Sequence, residues 1–114
     1  MLDLIRRVKI EQFELSLYDT GRYDSRGQTI LAYELTAPGT TIFAGNDFRG
    51  SPLRADDSDN TLRALLGFLT LRPGDTDPDY FAEYTAEQLD FCATHAEGLS
   101  LWAQDNGPEF VDVG

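Results

Sequence analysis

The apolar residues of this chain follow two different spacings, one in each half. In the first half, Phe13, Leu15 and Leu17 alternate with polar positions, and a period of two is typical of a β-strand with one buried face. In the second half, the spacing becomes i, i+3, i+4, i+7, which is typical of an amphipathic helix and is set by Leu62, Leu65, Leu66 and Leu69. The change of period predicts an α+β fold whose sheet precedes its helices.

The alternating half predicts a three-stranded antiparallel meander. We expect a first strand over residues 8–18, with a bulge near Glu11-Gln12 because the apolar positions before and after this point have opposite parity. Residues 19–27 combine Asp and Gly at turn spacings and predict an exposed hairpin tip. A second strand then covers residues 28–36 and has apolar side chains on both faces.

The turn after the second strand also predicts the register of the third. Pro38 presets φ and Gly39 tolerates a positive φ, so residues 37–40 suit a type II turn. A third strand over residues 40–45 would then place opposite one another the pairs Leu35 and Ile42, Tyr33 and Ala44, and Glu34 and Phe43.

The second half predicts two helices that pack against the meander. The first begins at an N-cap at residue 57 or 58 and ends at the Arg-Pro-Gly sequence of residues 72–74. A short turn starts at Asp77-Pro78. The second helix begins at Thr85, which forms a capping box with Gln88. Its expected buried face holds Leu89, Cys92, Ala93 and Ala96.

Length and cysteine content indicate the size and environment of the protein. With 114 residues we expect a single acidic α+β domain, with sheet over residues 1–45, helices over 58–104 and a loose tail over 105–114. One cysteine, Cys92, excludes an intramolecular disulfide and favours a reducing compartment. No stretch has the apolar length of a signal sequence or the roughly 18 apolar residues that span a bilayer. We therefore expect a cytoplasmic protein that does not bind membranes.

Negative charge is concentrated in the last third of the chain. Nine Arg and Lys residues stand against twenty Asp and Glu residues, for a formal net charge of −11. Residues 1–72 hold all nine Lys and Arg residues and ten Asp and Glu residues. Residues 73–114 hold the other ten Asp and Glu residues and no Lys or Arg. Salt adaptation would spread acids over the whole surface, so the segregation indicates either a solvated face that maintains solubility or a binding surface. The net charge also argues against direct nucleic-acid binding.

The acidic third also carries aromatic residues, and this combination suits a protein interface. Charge would steer a basic partner towards the surface, and aromatic side chains would anchor it. The predicted partner-binding residues are Asp75, Asp77, Asp79, Tyr80, Glu83, Tyr84, Glu87 and Asp90. We therefore expect a non-catalytic interaction domain that binds a basic protein surface. In a sharper form of this hypothesis the protein is a DNA mimic, whose carboxylates occupy the groove of a nucleic-acid-binding protein.

Two groups of Asp residues favour metal binding as an alternative. Asp75, Asp77 and Asp79 match the first three ligand positions of a calcium loop, but the required Gly and Glu at positions six and twelve are replaced by Tyr80 and Ala86. The second group, near the start of the first predicted helix, consists of Asp56, Asp57 and Asp59. The alternative function is thus a small Ca²⁺- or Mg²⁺-dependent protein or enzyme. Apart from these ions we expect no cofactor.

Cys92 and His95 are the only candidates for a catalytic nucleophile and base. They lie three residues apart on the second predicted helix, as a thiolate–imidazole pair would require. Because Cys92 also lies in the apolar row, we expect a buried and inert thiol. Glycine-rich nucleotide motifs are absent, so the chain is predicted not to be an enzyme. A further alternative is a homodimer or a subunit of a larger assembly, because both faces of the second strand carry apolar residues.

Overall fold

The computed structural model describes residues 2–50 and 58–113. Four long strands come first, and they are β1 (Asp3–Ile10), β2 (Phe13–Tyr23), β3 (Thr29–Ala37) and β4 (Thr40–Gly50). The elements that follow are α1 (Ser58–Leu69), a 3₁₀ turn (Pro78–Phe81), α2 (Ala86–Thr94), the short α3 (Ala96–Leu99), a second 3₁₀ turn (Ser100–Ala103) and β5 (Val111–Asp112). The strands form one antiparallel sheet in the order β4-β3-β2-β1-β5.

The expected three-stranded meander with two helices is wrong, although the fold is α+β. The described residues form five strands and three helices. One of the two extra strands arises because the predicted first strand is a hairpin. Residue Ile10 pairs with Phe13, and Glu11 between them adopts a φ of 57° in the tight turn. The change of parity that predicted a bulge is therefore a reversal of the chain, which places both flanking residues on the same face of the sheet.

The second hairpin has a shorter tip than the predicted residues 19–27. Strand β2 continues to Tyr23, which pairs with Thr29, so the turn covers only residues 24–28. Within the turn, the Asp24 carboxylate accepts hydrogen bonds from the backbone N–H groups of Arg26 and Gln28, at 2.8 and 2.9 Å. An Asp side chain that replaces strand pairing in this way is typical of a tight turn.

The predicted turn at Pro38-Gly39 joins β3 and β4, but the predicted register is wrong. Gly39 has the expected positive φ, at 80°. Next to the turn, Ala37 pairs with Thr40 and Thr36 with Thr41, as the predicted register requires. A bulge then shifts the pairing by one residue. The observed pairs beyond it are Leu35 with Phe43, Glu34 with Ala44, and Tyr33 with Gly45. The shift brings the larger Phe43 into the core, where it is 6% exposed. It also explains Gly45, since a Cβ atom there would lie 2.7 Å from the Tyr33 ring.

One face of the sheet is covered by α1 and by the segment from α2 to the second 3₁₀ turn. As predicted, the four leucines of α1 are buried, and none is more than 1% exposed. They form one core with the inward side chains of the sheet, which are Val8, Ile10, Phe13, Leu15, Leu17, Leu31, Leu35 and Phe43. The burial of this shared face holds the acidic third of the chain on the sheet.

The N-cap of α2 is as predicted, but its buried face is not. Thr85 and Gln88 form the capping box, with hydrogen bonds of 3.0 and 3.2 Å. The buried residues are Phe91, Cys92, Ala96 and Leu99, whereas Leu89 is 40% exposed. The helix is rotated because the Phe91 ring packs edge-on against the rings of Phe13 and Phe43, at 5.3 and 5.5 Å. Burying this large ring removes more apolar area from water than burying Leu89 would.

The C-terminal segment, expected to be loose, is attached to the sheet and to α1. Strand β5 pairs with Val8 and Lys9 of β1. The buried Arg63 of α1 donates hydrogen bonds to the backbone carbonyls of Trp102 and Pro108, at 2.8 and 3.2 Å. Its guanidinium also lies 4.7 Å from the centroid of the Phe110 ring, a cation–π contact. These contacts depend on positions far apart in the chain, which is why composition alone predicted a loose tail.

A second arginine, Arg6 on β1, holds the same segment to the sheet. Arg6 donates from Nε to Asp112 at 2.7 Å and from another nitrogen to Asp59 at the start of α1. Burial of the guanidinium lowers the pKa of Arg6, but the hydrogen bonds and charges of Asp112 and Asp59 outweigh this effect, so the pKa is raised. Arg6 therefore stays charged and joins β1, α1 and β5.

The attachment by Arg63 can be tested by removing its guanidinium. Arg63→Met should lower the free energy of unfolding by about 2–4 kcal/mol, because two carbonyls lose their donors and the cation–π contact is lost. Urea denaturation measures the change. Arg26→Met is the control, since the exposed Arg26 side chain makes no hydrogen bond or ion pair with the described residues. Equal stability of the two variants would contradict the role given to Arg63.

Candidate functional site

Every acid of the last third faces the solvent. The exposed residues are Asp75, Asp77, Asp79, Glu83, Glu87, Asp90, Glu97, Asp105, Glu109 and Asp112. Among the described residues, only two of the ten form ion pairs, Asp75 with Arg72 at 3.0 Å and Asp112 with Arg6. The other eight carboxylates thus have no compensating base in the part of the chain that the structure describes.

Local structure accounts for some of the acids at residues 75–90 but not for all of them. Asp77 caps the 3₁₀ turn, and its Oδ1 accepts a hydrogen bond from the backbone N–H of Asp79 at 3.1 Å. Glu87 lies in the first turn of α2, where the helix dipole favours a negative charge. Glu83 and Asp90 are exposed and form no hydrogen bond or ion pair with the described residues. Their charges have no structural role in the described part of the protein.

The two tyrosines predicted at the binding surface have different positions. Tyr80 is 66% exposed and is available for contact. Tyr84 is half-buried, and its ring packs edge-on against Phe43 at 5.7 Å and Phe81 at 5.2 Å. Burial raises the pKa of the Tyr84 hydroxyl, with smaller effects from Cys92 and Tyr33 in the same direction. Tyr84 therefore attaches the acidic segment to the sheet, whereas Tyr80 is a candidate anchor for a partner.

Sequence reasoning missed Leu89 as an exposed apolar residue of this surface. The predicted buried face of the helix includes Leu89, but the rotation of α2 leaves Leu89 40% exposed beside Asp90. A signal for its exposure exists in the sequence, since Phe91 and Cys92 are followed at helical spacing by His95, Ala96 and Leu99. If this second row of apolar residues forms the buried face, Leu89 lies on the solvent-facing side of the helix.

A groove of about 240 Å³ separates α2 from the two β-turns at one end of the sheet. Its apolar lining comes from Phe13, Ala37, Ile42 and Phe91, and its polar lining from Gln12, Thr40, Glu87, Asp90 and His95. The walls are tied together, because Gln88 Nε2 donates a 3.0 Å hydrogen bond to the carbonyl of Ile42. The His95 ring also packs edge-on against Phe13, with centroids 5.1 Å apart. The groove thus combines an apolar floor with two carboxylates.

The face of the sheet away from the helices has a different character. Arg7 donates from Nε to Ser16 Oγ at 2.9 Å and from another nitrogen to the Tyr18 hydroxyl at 3.2 Å. A depression of about 530 Å³ beside these residues is lined in part by Tyr18, Ala32 and Glu34. Ile30 and Ala32, apolar residues on this face of the second predicted strand, are only 8% and 4% exposed, and the homodimer hypothesis stays a prediction.

The metal hypothesis gains no support from residues 2–50 and 58–113. They contain no group of three or more His, Cys, Asp or Glu side chains that could hold a metal ion. Asp56 and Asp57 of the second predicted cluster lie outside the described residues, and Asp59 is paired with Arg6. In the first cluster, Asp75 is paired with Arg72.

The predicted burial of Cys92 is observed. The residue is 2% exposed, and burial raises the pKa of its thiol, so the reactive thiolate is disfavoured. His95 directs its ring against Phe13 and Phe91, with centroids 5.1 and 5.9 Å away. Neither position resembles that of an activated nucleophile with its base.

Comparisons with family models, with curated proteins and with solved structures give no match for this chain. None of the described helices has the length and apolar character needed to cross a membrane.

The state of Cys92 can be measured by its reaction with a disulfide reagent such as DTNB. Because the thiol is buried and its pKa is raised, we expect the folded protein to react at least about tenfold more slowly at pH 8 than the urea-unfolded chain. The unfolded chain is the control for intrinsic reactivity. Equal rates in the two states would contradict an inert, buried thiol.

Proposed function

We propose that the protein is a non-catalytic interaction domain that binds a basic protein surface. We define the acidic surface as Asp75, Asp77, Asp79, Tyr80, Glu83, Glu87, Leu89 and Asp90. The observation that carries the proposal is that all six carboxylates of this surface are exposed and that only Asp75, which contacts Arg72, forms an ion pair with the described residues. A partner with Lys and Arg side chains would supply the missing charges.

Solubility alone is a weaker explanation of this surface. Acids mixed with bases would also keep a protein soluble, without concentrating the repulsion on one segment. Here all nine bases lie within residues 1–72, and the ten acids that follow residue 72 repel one another. Such a one-sided field accelerates the approach of an oppositely charged partner and sets its orientation. Binding to a positively charged partner therefore explains the absence of Lys and Arg after residue 72 better than solubility does.

Exposed apolar side chains within the acidic surface strengthen this reading. Tyr80 is 66% exposed and Leu89 is 40% exposed, and both lie next to carboxylates. A few aromatic or apolar anchors contribute most of the affinity at protein interfaces, while surrounding charges set rate and specificity. We infer that Tyr80 and Leu89 contact the partner directly.

The sharper form of the proposal concerns the identity of the partner. A surface of carboxylates that binds Lys and Arg side chains can occupy the same groove as a nucleic-acid backbone, since phosphates are recognised by the same cationic groups. In this form the partner is a nucleic-acid-binding protein and the chain is its DNA-mimic inhibitor. Competition between duplex DNA and this protein for the partner distinguishes the sharper form from the general one.

Retention of a partner by immobilised protein tests the proposal. Proteins from a lysate of the source organism are captured at about 50 mM and at about 500 mM NaCl, since screening shortens the range of charge interactions as salt rises. The surface variant carries Asp75→Asn, Asp77→Asn, Asp79→Asn and Glu83→Gln. The control variant loses the same number of charges from the sheet half, through Asp3→Asn, Glu11→Gln, Glu14→Gln and Glu34→Gln.

We expect a partner that the wild type and the control variant retain at low salt and release at high salt. The surface variant should bind it about tenfold more weakly or worse, because four charge contacts are lost. Undiminished retention by the surface variant, or binding that is insensitive to salt, would overturn the proposal. If duplex DNA fails to displace the partner, the DNA-mimic form is wrong and only the general form stands.

Repulsion within the acidic surface gives an independent prediction about stability. The double variant Glu83→Gln/Asp90→Asn should raise the melting temperature by about 2 °C at 10 mM salt, because each like-charge contact costs a few tenths of a kcal/mol. The gain should vanish at 1 M salt, where charges are screened within about 3 Å. Scanning calorimetry measures both values. Asp47→Asn, which removes the partner of Arg49, is the control and should give no gain.

A further inference from the structure

We propose that the groove between α2 and the two β-turns receives an arginine side chain of the basic partner. This inference rests on the proposed function and names the contact that makes it specific. In this groove two carboxylates of the acidic surface, Glu87 and Asp90, border an apolar cavity. Charge and shape there select one kind of side chain.

The size of the groove fits a single side chain. Sites for drug-sized ligands usually enclose about 300–1,000 Å³, and this groove encloses about 240 Å³. The tie between Gln88 and Ile42 and the packing of Phe91 against Phe13 keep its walls in place without a ligand. A preformed groove loses little conformational entropy when it is filled.

The lining of the groove requires a ligand with an apolar stem and a positive head. Phe13, Ile42 and Phe91 offer an apolar floor, while Glu87 and Asp90 lie one helical turn apart on α2. No Lys or Arg lines the groove, and neither carboxylate forms an ion pair with the described residues. Both Lys and Arg have a suitable stem, since their methylene chains pack on apolar surface while the charged head stays near water.

Arginine matches the groove better than lysine. Its guanidinium is planar and weakly hydrated, stacks on aromatic rings and donates several hydrogen bonds in fixed directions. Of the rings that line the groove, those of Phe13 and Phe91 are buried and the half-buried His95 ring is available to that plane, while Glu87 and Asp90 can accept hydrogen bonds from its donors. A lysine ammonium is a compact and strongly hydrated charge that gains less from rings.

Short peptides test this contact by NMR titration of ¹⁵N-labelled full-length protein. The probe is acetyl-Gly-Arg-Gly-amide. Its citrulline counterpart has nearly the same shape without the charge, and its lysine counterpart has the charge without the planar head. Magnesium chloride serves as a probe for simple cation binding. Backbone amide shifts report both the location of binding and the integrity of each variant's fold.

We expect the arginine peptide to shift the amides of Gln12, Thr40, Ile42 and residues 87–95. The citrulline peptide should bind at least about tenfold more weakly and the lysine peptide about threefold more weakly, because each lacks one part of the recognition. Glu87→Gln/Asp90→Asn should abolish these shifts. The matched variant Asp75→Asn/Asp79→Asn, which also loses two acids, should retain them.

Several outcomes would overturn the inference. One is equal affinity for the arginine peptide and for either the citrulline or the lysine peptide. Another is a set of amide shifts that extends to residues outside the groove. A third is the same set of amide shifts with magnesium chloride alone. The two proposals fail separately. If the surface variant loses the captured partner but the arginine peptide does not bind, only the groove assignment is wrong. If the peptide binds but the surface variant keeps its partner, only the proposed function is wrong.

Discussion

The apolar face of the sheet must be covered, and the rest of the structure depends on this burial. Eight inward side chains of the four long strands meet the leucines of α1 and the row that includes Phe91 and Leu99. Full burial of each large apolar side chain contributes about 1.5–3 kcal/mol, so a sheet without this cover would not be stable. Glu87, Asp90 and Glu97 lie on the outer side of the short helices that supply part of this cover, and every carboxylate after residue 72 is exposed. The acidic surface is the outer side of the core's cover.

This arrangement limits how the acidic third can be held by charge. It contains no Lys or Arg, so cations must come from elsewhere in the chain. Arg6 on β1 binds Asp112, Arg63 on α1 binds the carbonyls of Trp102 and Pro108, and Arg72 binds Asp75. These contacts secure the two ends of the segment, while α2 between them is held by apolar packing and by Gln88. The carboxylates of Glu87 and Asp90 on α2 therefore form no ion pair with the described residues.

Local signals predicted the elements that depend on neighbouring residues. The leucine spacing predicted α1, the Thr85–Gln88 pair predicted the start of α2, and Pro38-Gly39 predicted a turn. Long-range packing decided the rest. The Glu11-Gln12 turn has neither Gly nor Pro, the β3–β4 bulge depends on how Phe43 fits the core, and the face of α2 depends on Phe91 contacting two strands. Exposure of the acids followed from their charge, but the groove joins Gln12, Ile42 and His95, which are distant in sequence.

The two interruptions in the pairing of β3 with β4 affect how copies of the protein meet. Strand β4 lies at an edge of the sheet, and the register shifts between Leu31 and Tyr33 and between Leu35 and Thr36. A bulge twists an edge strand and breaks the regular row of N–H and C=O groups that another strand would need. At the opposite edge, β5 covers Val8 and Lys9 of β1. Among the described residues, the irregular β4 edge and the net negative charge are therefore two features that oppose edge-to-edge pairing between copies of the protein.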